Sequence, residues 1–332
     1  MSFSHLASHS LLSLFLAAAT NAAFAQSAKS GSAPDYPNRP VRMVVSSAPG
    51  GSSDGAARVI SQRLTEKWGQ QFVVDNRGGA GGIIGTGVVA KSDPDGYTLA
   101  FVSLRHAVNP SLLKVPFDSV KDFAPVTMTA AVGNVLVVNA KSPVNTVKDL
   151  IALAKNGKPG ELTFASSGIG GAPHLTGEFF AQQTGVKLTH IAYKGGGPAI
   201  ADLVSGNVTM SFASMTSALP HIKNARLRPL AVSSKERSAQ LPEVPTMSEA
   251  GVGNVHVRDW QGILSPRGTP KAIVAKLGSA VREILKEPDT VARFTAMGLD
   301  VIASTPDEFR KAIEEDGKRW AQVIKVAGIK VN

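Results

Sequence analysis

Two stretches of small residues carry the most specific chemistry in this chain. The first, Ser46-Ser47-Ala48-Pro49-Gly50-Gly51-Ser52-Ser53, follows an apolar run (Val41, Met43, Val44, Val45) that reads as a strand. Asp54 then reads as the N-cap of a helix whose apolar face carries Ala57, Ile60, Leu64 and Trp68. The second, Ala165-Ser166-Ser167-Gly168-Ile169-Gly170-Gly171-Ala172, precedes a helix opened by Pro173. A turn of small residues that feeds a helix start leaves backbone N–H groups open. With the helix dipole they form an anion site that needs no charged side chain. Two such turns predict a cleft that grips a small anionic ligand from both sides.

The elements around the turns alternate. Strands are predicted near 41–46, 71–75 and 97–102, with helices near 54–68, 83–91 and 107–113. A second series has strands near 135–138, 162–166, 188–192, 208–213 and 228–232, with helices near 147–155, 173–184 and 198–205. Thr146 sits at an N-cap position and Pro198 in a first turn, while Gly69, Gly157, Gly185 and Gly206 sit where helices stop. Such alternation implies an α/β protein with two mostly parallel sheets, helices on their faces. The last third is mostly helical, with starts at Thr269-Pro270 and at the capping box Thr305-Pro306-Asp307-Glu308. These helices lack a sheet of their own, so they are expected to pack back on the first domain. The domains are then 36–128 with 258–332, and 129–257, with crossings near 125–131 and 255–263. Two crossings form a hinge, and ligands favour such clefts. Trp260 is expected to pack at the hinge, and Trp68 and Trp320 in the core.

Residues 11–19 are apolar but too few to span a bilayer, and Ala23-Phe24-Ala25 is a small-x-small cleavage site. Residues 1–25 therefore read as a secretory signal peptide, which predicts a periplasmic protein; no Cys follows it to carry a lipid. The chain has no Cys, so disulfides and thiol catalysis are excluded. The seven His residues show no metal-ligand spacing, and neither a metal nor a cofactor is expected. The formal charge of +10 is spread rather than clustered, which argues against nucleic acid and suits a surface that draws in anions. A monomer is expected.

At this point the sequence resembles a known family, the Bug-type solute receptors of tripartite tricarboxylate transporters. The resemblance rests on an ordered set of short motifs from Tyr36 to the C-terminus. They include Tyr36-Pro37-Asn38-Arg39-Pro40-Val41, Ala48-Pro49-Gly50-Gly51-Ser52-Ser53-Asp54, Asp75-Asn76-Arg77-Gly78-Gly79-Ala80-Gly81-Gly82 and Pro94-Asp95-Gly96-Tyr97-Thr98-Leu99. Asp122-Phe123-Ala124-Pro125-Val126, His190-Ile191-Ala192-Tyr193-Lys194-Gly195, Leu241-Pro242-Glu243-Val244-Pro245-Thr246 and Gly268-Thr269-Pro270 continue it. The resemblance implies a two-lobed "Venus flytrap" binding protein of type II without catalysis. It would hold a small organic carboxylate largely through backbone amides and hand it to membrane permease subunits or a sensor kinase. Carried over by position, Ser47, Ala48, Gly50, Gly51, Ser52, Ser53 and Asp54 form one jaw. Ser166, Ser167, Gly168 and Gly170 form the other, with His174 on the following helix. Tyr193, Lys194 and Gly195 lie past a strand end, and Ser214, Met215 and Thr216 past another. After strand 97–102 the chain reads Ser103-Leu104-Arg105-His106, where the family more often has small or polar residues. Arg105 is then either a clamp for a ligand carboxylate or a solvated loop residue. His174 either donates to the ligand or satisfies local backbone, Tyr193 either offers its hydroxyl or packs, and Lys194 reads as solvated. The low aromatic content, 6%, favours an aliphatic ligand.

The competing class is an exported serine hydrolase. Gly51-Ser52-Ser53-Asp54-Gly55 fits G-x-S-x-G, with Ser53 as nucleophile and His256 as a partner. In a nucleophile elbow the Ser turns directly off the strand, whereas several small residues intervene here. Gly85-Thr86-Gly87 formally opens a dinucleotide fingerprint, but it falls within a predicted helix rather than at its start.

Overall fold

The computed structural model describes residues 35–253 and 255–329; the signal peptide read at residues 1–25 lies outside the described residues. The parallel part of the first sheet comes from the buried apolar strands β1 (Val41–Val45) and β3 (Thr98–Ser103) and the edge strand β2 (Phe72–Asn76), of which only Phe72 is buried, in the order β2-β1-β3. α1 (Ser52–Trp68) and α2 (Ile83–Ala90) are the crossovers, and α3 (Arg105–Val108) is one turn directly after β3. The helix expected near 107–113 is therefore this turn, continued by a 3-10 turn over Asn109–Ser111. Pro110 within that turn has no N–H to extend an α-helical ladder.

β4 (Phe123–Asn139) is the longest strand, 17 residues, and it serves both sheets. Phe123 to Gly133 pair with β9 (Arg258–Pro266) in the first sheet, and Asn134 to Asn139 pair in the second. The switch between sheets thus falls at Gly133–Asn134, just past the expected crossing. The second sheet is built from α4 (Val147–Asn156), β5 (Thr163–Ser166), α5 (Ala172–Thr184), β6 (Thr189–Ala192), α6 (Gly196–Ser205), β7 (Met210–Ser214), α7 (Met215–Lys223) and β8 (Leu227–Val232). After β9 come α8 (Lys271–Ile284), α9 (Pro288–Ala296), β10 (Leu299–Val301) and α10 (Pro306–Ala327).

Among the described residues the strand path is β2-β1-β3-β9-β4-β7-β5-β6, with β8 and β10 also on β4. Both sheets are mixed rather than mostly parallel. The parallel pairs are confined to β2-β1-β3 and β7-β5-β6; β4, β8, β9 and β10 pair antiparallel. The chain leaves the first sheet along β4 and returns along β9, which pairs antiparallel between β3 and β4. The C-terminal segment also supplies strand as well as helix, since β9 and β10 both join the first sheet.

Apolar cores form against the sheets, two of which bear on the site. Val44, Val102, Trp260, Phe309 and Trp320 pack in the first, and Leu136, Phe164, Phe180, Met210 and Phe212 in the second. Ala172 and Leu175 of α5 belong to the first core, so α5 spans the junction. Trp260 sits there too, donating from Nε1 to Asp316 Oδ2 at 2.8 Å and packing edge-to-face on Phe309. Trp320 is buried as expected, but Trp68 is only half-buried, at the end of α1 against Phe72. The capping boxes at Thr146 and Thr305 close on Asp149 and Glu308. Among the described residues no helix is long and apolar enough to cross a membrane.

Candidate functional site

Parallel strands put their C-terminal ends on one edge, and the turn after β1 and the turn after β5 both open there. Each ends in a helix whose N-cap is a glycine, Gly51 for α1 and Gly171 for α5, and neither N-cap has a side-chain hydrogen bond. At α1 the first N–H groups are open to an anion; at α5 the N-cap and first turn are buried and Pro173 has no N–H, so any ligand contact there falls to the turn before it.

The first turn is fixed from outside rather than capped from within. Asp54 is the third residue of α1 and not its N-cap, which corrects the sequence reading. Its Oδ2 accepts the Gly50 N–H at 3.0 Å, and its two oxygens take the Arg58 Nε–H at 3.0 and 3.1 Å. Arg58 Nη2 donates to Asn76 Oδ1, and Asn76 Nδ2 donates to the Ser47 carbonyl at 3.3 Å. Burial pushes the Asp54 carboxyl up. The bonds from Arg58, Gly50 and Asn76 outweigh that and hold it below its ordinary 3.8. Asp54 is thus an ionised brace beneath an exposed turn; Ala48, Gly50 and Gly51 face solvent, and Ser52 and Ser53 are half-buried. Ser47 Oγ is buried with no hydrogen-bond partner. The glycines after β2 back this turn: a Cβ on Gly82 would lie 2.8 Å from the Ser46 carbonyl oxygen.

The second turn is held by histidines. Ser166 Oγ lies 2.7 Å from His190 Nε2 and accepts the Gly168 N–H at 3.1 Å. His174 Nδ1 accepts the Gly170 N–H at 3.1 Å, and its ring stacks on His190 with centroids 3.8 Å apart. His174 is 3% exposed, so it satisfies local backbone, the second of the two roles left open for it. Ser167 and Gly168 remain half-buried on the open side.

Other expected site residues separate into two groups. Arg105 crosses between the sheets, donating from Nη1 to the Ile169 carbonyl at 2.6 Å and from Nη2 to the Gly168 carbonyl at 3.4 Å. Ser103 hydrogen-bonds Asp259, a buried carboxyl pushed up to about 6 by desolvation against the opposing pull of Arg105. Thr216 also spans the sheets, donating to the Met297 carbonyl at 2.6 Å. His106, by contrast, does not join the site. One residue along the helical turn swings its ring about 100° from Arg105, into the first core between Phe117 and Phe123, with Nε2 2.7 Å from the Ser119 carbonyl. Tyr193 spends its hydroxyl on Asp202 Oδ2 at 2.6 Å, a bond that pushes the phenol up to about 12. Lys194 is exposed and Gly195 is the N-cap of α6. Ser214 bonds Ser217, and Met215 is buried.

Sequence reasoning missed Gln261, Asp259 and His190. Gln261 is fully buried on β9, donates from Nε2 to Ser52 Oγ at 2.8 Å and leaves Oε1 without a partner. A polar residue inside the apolar run Trp260-Gln261-Gly262-Ile263-Leu264 was the available signal. Two cavities of about 520 and 350 Å³ lie elsewhere, the first beside Phe117 and Ile313 and the second between Lys121, Arg267 and Arg310.

Burial makes the structural histidines acid-sensitive. Desolvation lowers His106 from 6.5 to about 4 and His190 to about 3, the nearby His174 adding to the latter. Between those values and 6.5 the unfolded chain binds more protons than the fold. Their contribution is therefore full above about pH 6.5 and declines as pH falls toward 3–4. Asp259 acts in the opposite sense, its contribution being full below 3.8 and lost as pH rises through about 6. The urea midpoint is expected to fall from pH 7 to pH 4, less steeply in His190→Gln and more steeply in Asp259→Asn; a flat wild-type profile would contradict this.

Ser53 is the second residue of α1, not the residue at a strand–helix elbow, and His256 lies outside the strands with its carbonyl taking Arg319 Nη2. The profile of the "Tripartite tricarboxylate transporter family receptor" matches residues 56–329. Protein BugT of Bordetella pertussis is 40% identical over 303 residues, covering 90% of this chain and 93% of BugT. A structure described as a periplasmic transporter is 39% identical with a TM-score of 0.82, covering 90% of this chain and 100% of that one. The R. palustris protein Rpa4515, solved with adipate, is 36% identical with a TM-score of 0.83, covering 89% of this chain and 99% of its own. The chain is a binding receptor and not an enzyme. It belongs to the tripartite tricarboxylate transporter family of receptors and has their two-lobed periplasmic-binding-protein fold.

Proposed function

We propose that this chain captures a small aliphatic carboxylate between its two lobes, outside the cytoplasm, and presents it to a membrane transporter or sensor. One observation carries the reading. The turn before α1 is exposed at Ala48, Gly50 and Gly51 and ends on a glycine N-cap, and the turn after β5, at the same end of its strand, leaves Ser167 and Gly168 half-buried. The backbone N–H groups at the start of α1, with Ser167 on the second turn, would meet a carboxylate placed between the lobes. Ser47, Ala48, Gly50 to Ser53, Ser167 and Gly168 supply the contacts, with Asp54 and His174 bracing them from behind; Ser166 and Gly170, expected as contacts, are buried and bonded within the second turn, which they hold in shape. The adipate held by Rpa4515 supports a dicarboxylate. The lobes are 36–133 with 258–332, and 134–257, hinged at Gly133–Asn134 and at 255–257. The receptor acts as a monomer in the periplasm, without cofactor.

The test is a calorimetric and thermal-shift screen of the purified protein against aliphatic di- and tricarboxylates, acidic amino acids, aromatic carboxylates and neutral sugars. A ligand at about 100 times its Kd adds about 2.7 kcal/mol of stability. Shifts confined to carboxylates are expected; shifts with neutral sugars alone would overturn the reading.

A further inference from the structure

The guanidinium of Arg105 sits between the lobes in a place shaped for it. Arg105 opens α3 in the first lobe, immediately after β3. Its backbone is anchored next to the returning strand, since the Leu104 N–H donates to the Trp260 carbonyl at 3.0 Å and to Asp259 Oδ1 at 3.2 Å. The side chain then reaches the turn that opens α5 in the second lobe and donates to the Ile169 and Gly168 carbonyls. The α5 turn accommodates it by omission. A Cβ on Gly171 would lie 2.4 Å from Nη2, 3.0 Å from Cζ and 3.3 Å from Nε of Arg105. Gly171 has φ −78° and ψ 160°, a conformation that any residue adopts. Its backbone therefore does not require glycine; the guanidinium does.

We propose that Arg105 is a positioning residue that latches the two lobes together, and that Gly171 is small because the latch occupies the place of its side chain. The inference rests on the two-lobed receptor reading and adds how its closed form is held. A charge-assisted bond to a carbonyl in a buried place is among the stronger hydrogen bonds. Arg105 makes its carbonyl bonds only when the lobes are together, so it biases the open–closed equilibrium toward closed before any ligand arrives. A ligand that binds the closed form then gains affinity in proportion to the closed fraction. Removing the latch is expected to weaken carboxylate binding about tenfold without reordering preference among carboxylates, because its Nη1 and Nη2 bonds go to the Ile169 and Gly168 carbonyls.

The chain has no Cys, so two introduced cysteines label uniquely. Val73 on β2 and Leu153 on α4 are 51% and 41% exposed and stand in different lobes. With Val73→Cys and Leu153→Cys as the background, spin-label distances are measured without ligand in the parent, Arg105→Ala, Gly171→Ala and the double variant. Both single variants are expected to lose short-distance population to a longer distance. The double variant is expected to open no further than Arg105→Ala, because without the guanidinium a methyl at Gly171 meets nothing of it. An unchanged distribution in Arg105→Ala, or opening by Gly171→Ala of equal size with and without Arg105, would overturn the latch. Should Arg105→Ala fail to fold, Gly171→Ala and Arg105→Lys carry the same test, Lys being unable to span both carbonyls. No ligand enters the measurement, so failure of the carboxylate screen and failure of the latch remain distinct.

Discussion

Phe309→Ala is expected to lower stability by about 3–5 kcal/mol, read as a shift of the urea unfolding midpoint at unchanged slope. Phe309 is fully buried on α10, packs edge-to-face on Trp260 at 5.2 Å and covers the strand β9 that returns between β3 and β4. Its ring lies on Gly262, where a Cβ would meet Cζ at 2.4 Å and Cε1 at 2.5 Å, with the Thr127 carbonyl oxygen 2.9 Å away. Gly262→Ala therefore forces the ring aside and meets backbone that cannot retreat, at a cost of about 1–3 kcal/mol. The two changes share one space. Gly262→Ala is expected to cost less in the Phe309→Ala background than alone, and simple additivity would count against this packing.

Asp54→Ala is expected to weaken carboxylate binding about tenfold or more and to cost about 2 kcal/mol of stability, on the scale of hydrogen bonds to a charged group. The carboxylate ties Gly50 and Arg58, and through Arg58 and Asn76 it reaches the Ser47 carbonyl. Without it the exposed turn loses its order, and a ligand must restore that order on binding. Asp54→Asn keeps one acceptor for Gly50 and should fall between the two. The carboxyl is held below its ordinary 3.8 in the fold, so its contribution is present above that value and is lost only in more acid solution. Calorimetric affinity for the carboxylate found in the screen, with urea unfolding alongside, checks both effects; wild-type affinity in Asp54→Ala would remove Asp54 from the site's support.

Local signals were legible. Thr146 caps at the N-cap position read for it, Thr305 closes its capping box with Glu308, and both small-residue turns open at strand ends. What stayed hidden was set by distant partners. The Thr127 to Ala131 stretch reads as a connector because its neighbours on β9 come more than 120 residues later, yet it is the middle of the longest strand. Asp54 looked like an N-cap because Asp favours that position, but Gly51 took it, and the carboxylate found Gly50 and Arg58 instead. His106 and Arg105 are adjacent in sequence and differ only in which side of one helical turn they occupy. Gln261 showed itself only as a polar residue inside an apolar run, and Asp259, beside Arg258 at the head of that run, gave no signal.

The route of β4 and β9 also orders the molecule in time. Asn134 to Val232 contain every strand of the second sheet in one continuous piece, so that sheet can assemble as soon as its own residues are available. The first sheet cannot: β3 and β4 have no direct pairing and wait for β9 to enter between them. Contacts so distant in the chain form slowly. A chain emerging from its N-terminus thus holds β1, β2 and β3 as an unfinished edge until residues 258–266 arrive. During that interval the unpaired side of β3, not the finished receptor, is the surface most exposed to association with other chains.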